Sequence, residues 1–366
     1  MYDKQTYTDT TTLAKANALL AQPIVYDTVA DLSFEKNKIM QSGIIARSPD
    51  MQRIIQGEGM MATSRFMHDL EDVREQRGTE SPDDRIKSTG VKRGKENVIK
   101  LQLNTAISNM ALTSFKTNLD IMAYVNSRVP EYWARESQKN FVDFMVGVFA
   151  SNSAGNYAGL SNYADYEKGD LTLDVSKRAG GAFDAGSTDL SAEVIIEAES
   201  MKLDNLSALD TIVMHSNVYH KLRRKQALIT IPEAGNPFLA GFEYYNGLKI
   251  VVDNNLPANP LTGVYETWLF GNNSVGFEQA PYGVEPTFEI VRDPSAGNGS
   301  VLQQLIARRV LCVHPIGHSY VNADSDNPEA STIRSATSFA RSLEDPRKIP
   351  YMRIITLEHA PTPNPI

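Results

Sequence analysis

Two strand-like runs, MMATSRFMHDL from Met60 to Leu70 and VKRGKENVIKLQL from Val91 to Leu103, enclose the segment EDVREQRGTESPDDRIKSTG. About half of residues 71 to 100 are charged, with the two signs nearly balanced. Almost nothing between the runs can enter a core, so the chain must carry it outside any globular body. A connection this long is ordinarily either functional or disordered. The alternation of apolar and polar residues towards the end of the second run favours a long projecting hairpin, with a solvated disordered loop as the competing reading.

A chain of 366 residues has room for roughly two or three compact units besides that projection. Its 44 acidic and 36 basic residues leave a net charge of -8. That excludes a broadly basic surface of the kind that neutralises nucleic-acid phosphates. Cys312 is the single cysteine, so neither an intrachain disulfide nor a cysteine-based zinc site can form. The opening MYDKQTYTDTTTLAKANALL has polar residues where a secretory signal has an apolar core. The most apolar stretch, Phe141 to Ala150, is about half the roughly 20 residues that cross a bilayer. These features predict a soluble chain that is not exported by that route.

Residues 1 to about 47 read as an arm, with a short helix from Thr12 to Ala21 and no sustained period. Such a segment buries little on its own. Ser48-Pro49-Asp50 signals a helix start, with Met51, Ile54 and Ile55 on one face and Gly57 and Gly59 stopping it. Residues 104 to 127 predict a helix through Ile107, Ala111, Phe115 and Leu119. A longer helix is predicted from Pro130 to Ala150, carrying Trp133, Phe141, Phe144, Met145 and Val148 as an apolar stripe. After a loop-rich stretch, LSAEVIIEAESMKL predicts an amphipathic helix, LDTIVMHS a strand, SNVYHKLRRKQ a short helix and GLKIVVD a strand. WLFG, TFEIVRD, VLQQLIARRVLCVHPIGHSYV and RKIPYMRIITLEH predict further strands. No period of 20 to 50 residues marks a solenoid.

Catalytic patterns are not found. His215 with His220 straddle a strand-to-helix turn, and His314 with His318 span Pro315 and Gly317, so neither pair shares a helical face for a metal. The sequence contains no nucleophile elbow, phosphate loop or dinucleotide fingerprint. Cys312 lies in an apolar run and reads as inert core. The acidic pairs Glu71-Asp72 and Asp83-Asp84 read as a solvated face. Lys221, Arg223, Arg224 and Lys225 form the one local basic patch. It lacks interleaved aromatics, so it offers at most a weak phosphate contact, the alternative being an interface or solvated helix face. No cofactor or metal site is expected.

The order of elements resembles a tailed-bacteriophage major capsid protein of the Hong Kong 97 fold, over nearly the whole chain. SGIIARSPDMQRIIQGEGMMATSRFMHDLE is similar to the end of that family's N-terminal arm entering its extended loop, and VKRGKENVIKLQLNTAISNMAL to the returning strand. PEYWARESQKNFVDFMVGVFAS resembles the spine helix. DTIVMHSNVYHKLRRKQALITI with GLKIVVDNNLP resembles the axial domain, and RKIPYMRIITLEH its closing strand. The resemblance implies an α+β chain divided as follows: an arm and short helix (1–57), an extended loop (58–104), a peripheral domain with its spine helix at 130–150 (105–188), an axial domain (189–282), returning peripheral strands (283–323) and a C-terminal segment closing the axial domain (324–366).

By the same resemblance the chain is a structural protein, not an enzyme. It would self-assemble through hexamers and pentamers into an icosahedral head shell around double-stranded DNA, in the virion, after synthesis in the bacterial cytoplasm. A scaffolding protein, a portal and decoration proteins are the implied partners, with DNA touched only weakly and non-specifically and no membrane. Six of the twelve methionines fall in the first 67 residues, and flexible thioethers suit contacts that differ between hexamer and pentamer. The loop charges expected to meet neighbouring subunits are Arg74, Glu75, Arg77, Glu80, Asp83, Asp84, Arg85, Lys87, Lys92 and Arg93. Some family members cross-link a loop lysine to a neighbour's asparagine; Lys87, Lys92 and Lys95 occupy that region, with no matching asparagine identified. Two other readings stay open: an encapsulin-like nanocompartment shell, and a soluble α/β metabolic enzyme.

Overall fold

The computed structural model describes residues 38–67, 75–78, 80, 83, 85–88, 90–91, 93–117, 121–156, 168–202, 209–225, 243–283, 285–322, 326–343 and 345–361, together with Val29. The expected helix at Thr12–Ala21 lies outside them. Among the described residues, two large sheets form around a long helix.

The first sheet runs β1 (Ile45–Ala46), β10 (Val275–Ala280), β12 (Leu302–Pro315), β3 (Arg93–Met110), β2 (Met61–Met67), with β11 (Phe288–Asp293) also paired to β12. The second runs β4 (Thr172–Asp174), β15 (Tyr351–Leu357), β9 (Val264–Phe270), β5 (Thr211–Met214), β7 (Leu248–Val252), β6 (Tyr244–Tyr245), with β8 (Ala258–Asn259) on β9. A small ladder joins β13 (His318–Tyr320) to β14 (Phe339–Arg341).

The second sheet is buried on both faces, which is why its strands read as nearly unbroken apolar runs. Val213, Trp268, Phe270 and Tyr351 point into one core, while Ile212, Met214, Leu269, Met352 and Ile354 point into the other. Helices α5 (Ala192–Ser200) and α6 (Ser216–Arg224) cover the latter through Val194, Ile195, Ala198, Val218 and Leu222. The other face meets helix α4 (Ile121–Ala154), whose Phe149 lies 5.5 Å from Trp268 and 6.0 Å from Tyr351 between ring centroids. Phe144, Met145 and Val148 of α4 share that core with Ile99, Leu101, Phe277 and Val313 of the first sheet, so one helix ties both sheets together.

Local chemistry places the helix starts. Ser48 caps α2 (Pro49–Gln56) by accepting from Met51 N, with Pro49 in the first turn, as the sequence predicts. Ser191 caps α5 in the same way. His215 caps α6 through Nδ1, which accepts from Asn217 N at 3.1 Å.

Three expectations are corrected. Residues 104–110 are strand, not helix: β3 runs to Met110 and pairs with β12 from Leu302↔Met110 to Cys312↔Lys100, so the returning strand passes the expected boundary at 104. The four-residue spacing of Ile107 and Ala111 concealed a period of two through Leu101, Leu103, Thr105 and Ile107; helix α3 begins only at Ala111 and ends at Thr117. The long helix, expected from Pro130, opens at Ile121. An interior proline costs a helix about 3 kcal/mol, and here burial of Val129, Pro130 and Trp133 offsets it. Thirdly, β10 belongs to the first sheet although it falls within 189–282, and β4 pairs with β15 although it falls before 189. The end of the arm, which buries little on its own, packs against the body. Helix α1 (Lys38–Gln41) and β1 contribute Ile39, Met40, Ile44 and Ile45 to the main core, with β1 parallel to β10.

Candidate assembly surfaces

The hairpin begins as a regular antiparallel ladder, from Met61↔Ile99 to Met67↔Arg93. Thr63 Oγ1 donates to Asn97 Oδ1 across it at 3.0 Å. Phe66 lies opposite Gly94, and a Cβ on Gly94 would meet the Phe66 ring at 2.2 Å, so any larger residue here would have to displace that ring. Farther out, Gln76 bridges the two sides: its Nε2 donates to Lys87 O at 2.6 Å and its Oε1 accepts from Lys87 N at 3.0 Å. Of the charges singled out in the sequence, Glu75, Arg77, Glu80, Asp83, Arg85, Lys87 and Arg93 are exposed; Arg74, Asp84 and Lys92 lie outside the described residues. Charge counting missed the apolar part of this surface. Met67, Ile86 and Val91 are all exposed, Ile86 at 86%.

The base of the hairpin is anchored by a buried carboxylate. Glu96 Oε2 sits 2.7 Å from His314 Nε2, and Oε1 accepts from Gly317 N at 3.1 Å and from Ser342 Oγ. One residue on, Asn97 N donates to Ser319 Oγ at 2.9 Å. Beside this anchor a cavity of about 580 Å³ opens between α2, β2, β3 and β12, lined by Met51, Ile54, Phe66, Ile316, Asp50 and Arg47 among others.

The basic patch is largely committed within the chain. Lys221 Nζ lies 2.8 Å from Asp189 Oδ2 and 2.9 Å from Glu358 Oε2, and Lys225 Nζ lies 2.8 Å from the same Asp189 oxygen. Burial pushes the Asp189 carboxyl up, but the bonds from Lys221, Lys225 and Gly186 N prevail and hold it below its ordinary value. The patch therefore keeps Arg223 and Arg224 as exposed cations, and the phosphate reading loses Lys221 and Lys225 to these carboxylates.

The histidine pairs are taken up elsewhere. His318 is wholly buried, its Nδ1 2.6 Å from Tyr351 OH, which itself donates to Ile316 O at 2.8 Å. Burial pushes the His318 pKa down to about 3, so the ring is neutral and Nδ1 carries the donated proton. His314 is held by Glu96 and His215 caps a helix. Among the described residues no group of three His, Cys, Asp or Glu could hold a metal. Cys312 is buried and burial raises its thiol to about 12. Lys202 was not visible in the sequence as unusual, since a lysine ending an amphipathic helix normally reaches water. Here its Nζ is buried and donates to Pro346 O at 2.9 Å and Ile349 O at 2.8 Å.

The surfaces are thus a charged hairpin with exposed apolar residues on a base held by buried hydrogen bonds, and a body built from buried sheets, with the titratable clusters turned to structural use. The fold is that of a bacteriophage capsid subunit. It aligns with the capsid of Ralstonia phage GP4 at a TM-score of 0.52 and 14% identity, over 88% of this chain and 90% of that one. In sequence it is 25% identical over 350 residues to the major capsid protein of Bacillus phage SPP1, covering 93% of this chain and 95% of that protein. No protein-family model matches the chain.

Proposed function

We propose that this chain is a major capsid protein, a structural rather than catalytic protein whose copies assemble into a phage head. The observation that carries the reading is the near end-to-end similarity to the SPP1 major capsid protein, and a mixed α+β fold shared with the GP4 capsid supports it. In the Hong Kong 97-type arrangement, residues 1–57 act as the arm and 58–110 as the extended loop with its returning strand, α4 with β10, β11 and β12 belongs to the peripheral domain, and β4, β5, β7, β9 and β15 belong to the axial domain. The loop charges Glu75, Arg77, Glu80, Asp83, Arg85, Lys87 and Arg93, with Arg74, Asp84 and Lys92, meet oppositely charged patches on adjacent subunits of hexamers and pentamers. Heterologous contacts of this kind close into rings and shells.

The shell encloses double-stranded DNA, to which Arg223 and Arg224 offer a weak contact. A scaffolding protein guides its assembly, a portal occupies one vertex, and decoration proteins bind outside. Synthesis takes place in the host cytoplasm and the product resides in the virion head. Negative-stain electron microscopy of particles from infected or expressing cells, with nuclease-protected nucleic acid measured in the same fractions, tests this. Closed shells protecting double-stranded DNA support it. Shells filled instead with an enzyme would make the chain a nanocompartment protein.

A further inference from the structure

This inference rests on the capsid reading and names the seat of the hairpin on a neighbour. Ile86 is a β-branched aliphatic side chain, 86% exposed, set between two cations, Arg85 and Lys87. The hairpin does not bury it, yet the adjacent backbone is fixed, because Gln76 binds both the N–H and the C=O of Lys87. An exposed apolar side chain presented on an ordered backbone is a ready anchor for an interface, since little further ordering is needed on binding. The 580 Å³ cavity beside the hairpin base is its counterpart. Met51, Ile54, Phe66 and Ile316 give it apolar walls, and Asp50, 72% exposed, puts a carboxylate on its rim, with Oδ1 2.7 Å from Arg53 Nη2 in an exposed pair of little energetic weight and Oδ2 outside that pair. Arg47 lines the same cavity, which confines the charge match to the Asp50 side.

Because Ile86 remains exposed within its own chain, its own cavity is not its seat. We propose that Ile86 of one copy enters the cavity of a neighbouring copy and packs on its apolar wall, with Lys87 joining Arg53 at that copy's Asp50. The apolar side chain is then removed from water while the two charges stay at the rim, where complementarity selects the register of the contact.

Cys312 is buried with a raised thiol pKa, so introduced cysteines can be read without interference. Chains carrying Ile86→Cys are co-assembled with chains carrying Ile54→Cys, the particles are oxidised mildly, and the products are run on a non-reducing denaturing gel. Covalent dimers in the mixture, and none in either variant assembled alone, are expected. Particles without dimers overturn the contact and leave the capsid reading standing; failure of the wild-type chain to form any particle overturns both. A second measurement needs no variant: zero-length carbodiimide coupling of wild-type particles followed by peptide mapping. Lys87 joined to Asp50 is expected. Asp50 joined instead to Lys4, Lys15 or Lys36 would put the N-terminal segment in the cavity and overturn the proposal.

Discussion

Arg341 Nη1 lies 2.8 Å and 2.7 Å from the two carboxylate oxygens of Asp170, and the Arg341 side chain is wholly buried. The pair fastens β14 to the segment entering β4, across 171 residues of chain. Arg341 Nε also donates to Leu343 O at 2.8 Å. Replacing Arg341 with Met leaves the Asp170 carboxylate with the bond from Asn152 Nδ2 but without its counter-charge, and breaking one side of a buried pair costs about 3–5 kcal/mol. Arg341→Met is expected to lower the urea midpoint of the dissociated subunit sharply, and adding Asp170→Asn is expected to restore part of the loss. Additive losses in the double variant would contradict the pairing.

Lys202 gives the subunit an alkaline stability profile. Burial lowers its pKa from 10.5 to about 7, with nearby Asp170 opposing and Arg341 reinforcing that shift. The folded state therefore binds fewer protons than the unfolded state between those values, so stability rises as pH increases from about 7 to about 10.5 and the cost of the buried charge is fully present below 7. The swing is on the order of 3–5 kcal/mol. Lys202→Met removes this pH dependence while leaving the Pro346 and Ile349 carbonyls unpaired at every pH. Denaturation of wild type and variant between pH 6 and pH 10 is the check: a difference between them that does not change with pH would contradict the account.

Cys312 should behave as core. Cys312→Ser places a hydroxyl in a buried site packed by Met51, Ile55 and Val98, with Lys100 and Glu278 as its cross-strand neighbours, and is expected to cost about 1–3 kcal/mol with assembly intact. The native thiol should resist maleimide until the protein unfolds; rapid labelling of the folded protein would contradict its burial.

The hairpin is expected to serve assembly and not subunit folding. Its described residues between 75 and 91 are all exposed, so replacing residues 71–90 with a short Gly-Ser turn should leave a cooperatively folding chain. Loss of secondary structure by circular dichroism in that variant would contradict this. Arg85, Lys87 and Lys92 changed together to Glu should leave the subunit folded and impair shell formation. Each exposed pair is worth only up to about 1 kcal/mol, but the contact recurs throughout a shell.

Much of this was legible in the chain itself, and the misses have common causes. Strands β5, β7, β12 and β15 stood out through their density of β-branched and other apolar residues, which outnumber polar ones such as Lys249, Arg308 and Arg353, and α2 announced itself through Ser48 and Pro49. The stretch 104–110 failed because the four-residue spacing of Ile107 and Ala111 competed with the period of two through Leu101, Leu103, Thr105 and Ile107, and the partner strand β12 that decides between them is distant in sequence. Pro130 marked a helix start locally and was overruled by the packing of Trp133 on Phe288, 5.3 Å apart. The basic patch looked available because Asp189 and Glu358, which hold Lys221, are distant in sequence. Ile86 was hidden among charges, since a lone aliphatic residue in a polar segment carries no periodic signal.

The central claim is that this chain builds a shell. Sedimentation velocity of the purified wild-type protein, followed over rising concentration and falling ionic strength, tests it most directly. Capsomer-sized species and closed particles in the megadalton range are expected, diminished in the Arg85, Lys87 and Lys92 charge-reversal variant. A wild-type protein that stays a monomer or small oligomer under all of these conditions would contradict it.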